Sequence, residues 1–233
     1  MVMEDILICY RSFPEPVVIP FRAHAHHLWE FLFIAKGNVV CMIEGKKYLI
    51  SENTVVVLKP AQVHRIYASG NSLYGYYSLM YNETLISDSF AAWMESNLGI
   101  FALEENSVIH KAFWELNRLA QDAYNGLTGE YGLRLVAEVQ ALLLQTAITA
   151  QPPIVAKEDA VLDKAICYSE ENICSISCLD EICRTVGVSR EGLYQGFIHN
   201  MMISPMKYVR AKKKALAQMQ AQNEKNTNEN ILN

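Results

Sequence analysis

Hydrophobic periodicity changes once along this chain, near Asn82, and the change limits the folds open to it. Before that point, short apolar runs alternate with turn residues such as Lys36-Gly37-Asn38 and Glu44-Gly45, which is typical of closely spaced strands. After it, apolar residues recur three and four positions apart, which is typical of helices. The sequence therefore predicts an α+β chain with an N-terminal barrel or sandwich. The predicted strands are 29–34, 39–43, 48–50, 54–58 and 63–67.

Helices are predicted over 85–98, 108–124 and 131–148. The last is apolar on almost every side, so it must be buried against a partner, either across a homodimer interface or as an ordinary core helix. Gln151-Pro152-Pro153 then ends the helix and stiffens the connection. The predicted domains are a sensing and dimerisation domain (1–150), a linker (151–159), a helical unit (160–222) and a polar tail expected to be disordered (223–233).

Composition narrows the class of protein. The formal net charge is −5, so any nucleic-acid contact must come from a local surface rather than from the field of the whole molecule. The six cysteines form no CxxC pair and are expected to be reduced thiols. No basic leader and no apolar run of membrane-spanning length is seen, so we expect a cytoplasmic protein without a membrane partner.

Three histidines and a glutamate are the strongest candidates for a binding site in the barrel. His24, His26 and Glu30 stand at even spacings, so on an extended strand their side chains share one face. His64 would come from a later strand, just after Pro60. Three imidazoles and a carboxylate suit a divalent iron, manganese, nickel or zinc ion. The alternative is that these side chains line an effector pocket without metal, in which case no cofactor is required.

Other polar and aromatic residues could complete a small-molecule pocket. Aromatic side chains offer stacking surfaces for a sugar ring, and Arg22 offers a cation for a carboxylate or phosphate. Trp29, Met42, Tyr48 and Tyr76 are the remaining candidates. The predicted effector is a sugar or a related metabolite.

Residues 177–197 follow the pattern of a helix-turn-helix. Ser177 is positioned to cap a first helix, with Asp180 three residues later. Gly187 suits a left-handed turn, and Ser189 is positioned to cap a second helix. The predicted inward-facing residues are Leu179, Ile182, Cys183, Val186, Val188, Leu193 and Phe197.

The outward residues of the second helix are of types that contact base edges or phosphates in a major groove. A plain antiparallel helix pair would show the same internal pattern. The predicted DNA contacts are Ser189, Arg190, Glu191, Tyr194 and Gln195, with Lys207 and Arg210 as further candidates. Lys212-Lys213-Lys214 could also contact phosphates, or could form a solvated helix face.

The histidine segment resembles the first cupin motif, which would end at Gly37, and Pro60 with His64 resembles the second. A cupin-like double-stranded barrel, helices, a linker and a helix-turn-helix in this order resemble the AraC family of bacterial transcription regulators. In that family the barrel binds an effector and the helices beside it dimerise, so the resemblance implies a DNA-binding regulator and not an enzyme. The matching C-terminal residues are Ile173, Leu179, Ile182, Gly187, Ser189, Leu193, Phe197, Ser204, Pro205, Tyr208 and Arg210.

The chain departs from the family pattern in its DNA-binding unit. The family has two helix-turn-helices, whereas the sequence stops after a connecting helix at 211–222, so DNA binding is expected to be impaired. Gly192 and Gly196 weaken the second helix, and Met202 stands where Gly is usual. The alternatives are a metal-dependent cupin enzyme, an isomerase or dioxygenase, and a partner that dimerises with an intact homologue to modulate it.

Overall fold

A computed structural model describes residues 6–13, 22–69, 73–103, 108–122, 130–146, 148–149 and 159–232. Its first part is built from antiparallel strands, whose bounds agree with the predicted runs to within a few residues. The sequence analysis did not delimit the strands at either end of this set, β1 and β7. The strands are β1 (Ile6–Phe13), β2 (Trp29–Lys36), β3 (Val39–Ile43), β4 (Lys46–Ile50), β5 (Thr54–Leu58), β6 (His64–Ala68) and β7 (Tyr74–Tyr81).

Two sheets enclose the barrel core. The larger has the order β1-β7-β2-β5, extended by β8 (Ile100–Ala102) and β9 (Ile148–Thr149), and the smaller has the order β4-β3-β6. Inward-facing residues of both sheets, among them Leu32, Cys41 and Tyr76, form one buried cluster. Alternation along β2 turns Glu30 to this interior and sends Phe31 to the opposite face. The predicted α+β class with a two-sheet barrel is therefore confirmed.

Three helices cover the outer face of the larger sheet: α1 (Asp88–Glu95), α2 (Val108–Asp122) and α3 (Glu130–Thr146). On α3 the buried side chains Val136, Val139 and Leu143 pack towards the sheet. The Gln140 side chain accepts a hydrogen bond from Ser87 N–H at 3.0 Å and donates one to the Leu85 carbonyl at 2.7 Å. Part of the apolar surface of α3 is therefore buried within the chain. Dimerisation through 131–148 stays a prediction.

Four helices form the C-terminal unit: α4 (Ala160–Glu171), α5 (Leu179–Val186), α6 (Arg190–Met201) and α7 (Pro205–Leu232). Residues 151–158 of the predicted linker lie outside the described residues, and its last residue, Asp159, caps α4. The C-terminal core also contains three residues of the barrel, Ala23, Met42 and Val63. The two units are therefore packed directly against each other.

Two local expectations need correction. The N-cap of α5 is Cys178, without a side-chain cap, because the Ser177 hydroxyl instead donates to Glu181 Oε1 at 2.7 Å. The polar segment after Gln222, expected to be a disordered tail, continues α7 as far as Leu232. Each residue added to an existing helix gains a backbone hydrogen bond without a new nucleation cost, which explains how a polar segment can extend it. None of the helices within the described ranges is long and apolar enough to cross a membrane.

Candidate functional site

The histidine-bearing segments meet at one point of the barrel. His24 lies before β2 and forms an isolated antiparallel bridge with His64, the first residue of β6. The N–H of each donates to the carbonyl of the other, at 3.0 Å and 2.9 Å. The ligating nitrogens of His24, His26 and His64 all lie within 4.8 Å of one another. The predicted convergence of these three histidines is therefore present.

Each imidazole is oriented by a backbone carbonyl two residues away. Nδ1 lies 2.9 Å from the Leu28 carbonyl in His26 and 2.9 Å from the Gln62 carbonyl in His64. A carbonyl oxygen can only accept, so Nδ1 must carry the proton. A neutral imidazole held in this way presents an unprotonated Nε2, which is the arrangement found around metal-ligating histidines.

Glu30 lies between two of these nitrogens. Its Oε2 is 3.0 Å from His26 Nε2 and 3.1 Å from His64 Nε2. Its Oε1 accepts a hydrogen bond from the buried Ser78 hydroxyl at 2.6 Å. Burial favours the neutral acid, but a proton on Nε2 of His26 or His64, which would make that imidazole a cation, outweighs burial and holds the pKa of Glu30 well below its ordinary value.

The electrostatics of the cluster favour a cation at its centre. Burial, followed by the charge of His64, lowers the pKa of His24. The buried Nε2 of His64 lies 3.1 Å from Glu30 Oε2 but makes no hydrogen bond of normal geometry with any described residue. Two nitrogen lone pairs and a carboxylate oxygen pointing at one place repel one another unless a proton or a metal ion lies between them. The three histidines therefore fit a divalent metal ion, and Glu30 lies beside two of them.

A cavity of about 100 Å³ adjoins the cluster. Of the predicted pocket residues it contains His24, Glu30, His64 and Tyr76. Ser78 and Met80 also line it and were missed by the sequence analysis; the signal was a lone serine inside the apolar run of β7. The described residues that line it are His24, Glu30, Leu32, His64, Ile66, Tyr76, Ser78 and Met80.

Five candidates do not line this cavity, and one of them is His26, which belongs to the histidine cluster. Arg22 is exposed to solvent. Trp29 packs under the helices that cover the larger sheet. Met42 points out of the barrel into the C-terminal core, because it alternates with the inward-facing Cys41. Tyr48 lies inside the barrel but in its apolar core. The predicted stacking surface is therefore reduced to Tyr76.

The two helices α5 and α6 have the predicted internal geometry. Gly187 ends α5 in the left-handed region at φ 73°, and the Ser189 hydroxyl accepts from Gly192 N–H at 3.0 Å to cap α6. Leu193 and Phe197 are fully buried in the C-terminal core. Met202 adopts a left-handed φ of 59° after α6, where the sequence comparison expected Gly. The predicted turn and second cap are confirmed.

The outward face of α6 is exposed and partly paired within the unit. Arg190 forms a bidentate ion pair with Asp180 of α5. Gln195 donates to Glu191 Oε1 at 2.6 Å. Tyr194 has 42% of its surface exposed. All the predicted DNA-contacting residues of α6 are therefore exposed to solvent, but the Arg190 side chain is already paired with Asp180.

The basic residues of α7 divide into two groups. Lys207, Arg210 and Lys214 are exposed. Lys212 is buried and pairs with Glu44 of the barrel at 2.8 Å and with Glu170 of α4. Lys213 donates to the Ile176 carbonyl at 2.7 Å. The suggestion that all three consecutive lysines contact phosphates is therefore wrong for Lys212, which is inaccessible to DNA in this arrangement.

A model of the AraC-like ligand binding domain matches residues 19–152, which is more than half of the chain. The chain belongs to the AraC family. The matched region contains β2 to β8 with the histidine cluster, and the helices α1 to α3. This AraC-family protein is accordingly a ligand-responsive transcription regulator whose ligand-binding domain is the barrel.

Solved structures resemble this regulator at low sequence identity. Apo ToxT from Vibrio cholerae is 12% identical, with 89% of this chain and 79% of ToxT covered and a TM-score of 0.45. The AraC-like transcriptional activator CuxR is 16% identical, with 91% and 77% covered and a TM-score of 0.43. A cupin from Methanocaldococcus jannaschii is 14% identical over 35% of this chain and 74% of its own, with a TM-score of 0.32. None of the curated proteins compared with the chain matches it.

Proposed function

We propose that this regulator binds a divalent metal ion, alone or with a small co-ligand, at His24, His26, Glu30 and His64, and contacts DNA through α6. The observation that carries the proposal is the shared orientation of His26 and His64. Carbonyl contacts at Nδ1 turn both Nε2 atoms towards Glu30 Oε2, beside a cavity. Hydrogen bonds from the other ring nitrogen to a carbonyl orient metal-binding histidines in proteins generally.

Cavity size and charge favour a metal over the predicted sugar. A pocket of about 100 Å³ is small beside the roughly 300–1,000 Å³ of ordinary small-molecule sites. None of the described residues that line it is Lys or Arg, and Arg22 lies outside the lining, so only His24 and His64 could offer a positive charge to a carboxylate or phosphate there. Three imidazoles and a carboxylate suit Zn²⁺, Fe²⁺, Mn²⁺ or Ni²⁺.

Cobalt(II) is a suitable probe because its visible absorption reports the number and type of its ligands. We expect one equivalent to bind the full chain, and His26→Ala to abolish that equivalent. His27→Ala is the matched control, because His27 is adjacent in sequence but outside the cluster. A wild-type chain that binds no more cobalt than His26→Ala would refute the metal site, since both retain the exposed thiols Cys167, Cys174 and Cys178.

DNA contact is proposed for the exposed face of α6, centred on Tyr194 and flanked by Lys207 and Arg210 of α7. These side chains are accessible and of types used for base and phosphate contacts. We expect Tyr194→Ala to weaken binding to the DNA upstream of the chain's own coding region about tenfold, consistent with the roughly 1–3 kcal/mol of a base contact. His199→Ala, a substitution at the other end of α6, provides a comparison.

A cupin-type metalloenzyme is the competing function, and the histidine cluster favours it equally. The two functions differ in what metal binding changes. Turnover of a substrate that is lost with the metal in His26→Ala would favour the enzyme, whereas metal-dependent DNA affinity without turnover would favour the regulator. The family assignment supports the regulator.

A further inference from the structure

The histidine-bearing segments of the barrel are also the segments that contact the C-terminal unit. Ala23 precedes His24, and Val63 precedes His64. Both of these small apolar side chains are buried in the core of the C-terminal helices rather than in the barrel core. His24 and His64 are therefore each one residue away from a contact with the C-terminal unit.

A backbone hydrogen bond joins the first segment to α6. The N–H of Ala23 donates to the carbonyl of Met201 at 3.2 Å, and Met201 is the fully buried last residue of α6. The next residue, Met202, turns the chain away in the left-handed conformation. The position of Ala23, and with it His24, thus depends on where α6 ends.

A charged cluster joins the second segment to α7. Glu44 Oε1 accepts from Val63 N–H at 2.8 Å and pairs with Lys212 at 2.8 Å, while Oε2 accepts from the Tyr208 hydroxyl at 2.5 Å. Lys212 also pairs with Glu170 of α4. A single barrel carboxylate therefore contacts both the backbone beside His64 and two side chains of α7.

Among the described residues, three backbone hydrogen bonds join the first segment to the rest of the barrel: two between His24 and His64, and one from the Ala61 N–H to the His26 carbonyl at 2.8 Å. His24 is bridged to His64 by one pair of backbone hydrogen bonds and is not part of a longer strand. Metal sites need their ligands held close to the binding geometry, and the partners that hold them affect affinity about 10–100-fold. An isolated bridge between His24 and His64 restricts the position of His24 less than a full strand would.

We propose that the docked C-terminal helices, through Met201, Tyr208 and Lys212, hold the His24 and His64 segments in their ligand-binding arrangement, so that the site is complete only in the docked state. By linkage, a ligand bound at the site stabilises docking by the same factor. The coupling to ligand binding rests on the proposed metal site. The effect of docking on the His24 and His64 segments can be tested without any ligand.

The first test is amide hydrogen exchange of the full-length Tyr208→Phe/Lys212→Met double variant. Both substitutions lie on α7, so any change in the barrel segments must pass through docking. We expect the amides of Ala23, His24 and His64 to exchange at least about tenfold faster than in the wild type. Lys213→Met is the matched control, because Lys213 bonds to the Ile176 carbonyl within the C-terminal unit. Unchanged exchange in α5 would show that the unit remains folded.

A second variant covers the case in which the C-terminal unit still docks in the double variant. A Cβ added at Gly45 would lie 2.6 Å from Ile166 Cδ1 and 3.2 Å from Met201 Cε, and alanine is also strained at the φ of 83° found there, so Gly45→Ala disturbs the contact with the C-terminal unit together with the β3–β4 turn. If Ala23 exchanges faster in either variant while His24 and His64 keep their protection, the proposal is wrong. If all three stay protected in both variants, it is wrong as well.

The second test is cobalt(II) affinity in the same proteins. We expect the double variant and Gly45→Ala to bind the cluster equivalent about tenfold more weakly, and Lys213→Met to bind it as the wild type does. Equal affinity in docked and undocked proteins would overturn the coupling while leaving the metal site intact. If the wild type binds no cobalt at the cluster, the proposed ligand fails, and the exchange result alone decides whether docking holds the site.

Discussion

The carbonyl oxygen of Met201, at the end of α6, accepts a hydrogen bond from the N–H of Ala23, the residue before His24. This contact places the proposed DNA-contacting helix one residue from a proposed metal ligand. Val63 makes the equivalent connection on the other side, through Glu44 to Lys212. The predictions below separate the site, the DNA-contacting face and the interface between the units.

Ser78→Ala should weaken cobalt(II) binding about 10–100-fold, because Glu30 Oε1 loses a buried hydrogen bond of 2.6 Å that orients the carboxylate. The measurement is a cobalt titration of the full chain. Ser175→Ala is the control, since the Ser175 hydroxyl donates to the Asn172 carbonyl in an exposed loop. Affinities equal in all three proteins would show that Glu30 is not a ligand.

Asp180→Asn should strengthen DNA binding about fivefold at low salt, because it frees Arg190 from its bidentate partner and removes a negative charge near the phosphates. The slope of log affinity against log salt should steepen by about 0.9 if one further phosphate is neutralised. Glu115→Gln breaks the comparable Arg118 pair on α2 and should change neither quantity. If Asp180→Asn has the same affinity for DNA and the same salt slope as the wild type, Arg190 does not contact DNA.

Ionisation of Glu44 should lower the free energy of unfolding as pH rises. Burial raises the pKa of Glu44 above its ordinary value of 4.5; Lys212 and Tyr208 oppose the shift and Glu170 adds to it. The folded protein therefore holds the proton to higher pH than the unfolded chain, so this contribution to stability is full below about pH 4.5 and is lost as pH rises through the raised pKa. Urea unfolding between pH 4.5 and 7 should show this loss in the wild type relative to Glu44→Gln. A wild type that gains stability relative to Glu44→Gln would mean that the Lys212 charge outweighs burial.

Two glycines of the C-terminal unit should respond to alanine in opposite directions. Gly187→Ala should lower the free energy of unfolding by roughly 1–2 kcal/mol, because φ is 73° there and alanine disfavours the left-handed region. Gly196→Ala should raise it by about 1 kcal/mol, because the site is helical and the nearest atom to an added Cβ is 3.7 Å away. Urea unfolding measures both. Equal shifts would show that neither helix is formed as described.

Local sequence patterns predicted much of the fold and half of the site. Even spacing put Glu30 on the same face as His24 and His26, and helical spacing identified the α5–α6 pair with its turn at Gly187. Such features depend on residues close in sequence, and periodicity reports them directly. The facing direction of Met42 was not accessible in this way, because alternation gives two faces without saying which is inside.

Contacts between distant residues explain the remaining differences. Ser78 bonds to Glu30 across 48 positions, and Tyr208 bonds to Glu44 across 164. Lys212 belongs to a run of three lysines that looks like a solvated face, yet its place one turn after Tyr208 directs it to Glu44. Only packing of the two units shows which lysine of the run is buried.

The most direct test of the account is whether the histidine cluster controls DNA binding. Fluorescence anisotropy would give the affinity of the full chain for a duplex from upstream of its own coding region, with and without one equivalent of Zn²⁺. We predict that Zn²⁺ changes the affinity at least about fivefold in the wild type and in His27→Ala, and leaves it unchanged in His26→Ala. Two results would contradict the account. Zn²⁺ could bind at the cluster without changing the affinity of the wild type for DNA, or it could change the affinity of His26→Ala by the same factor.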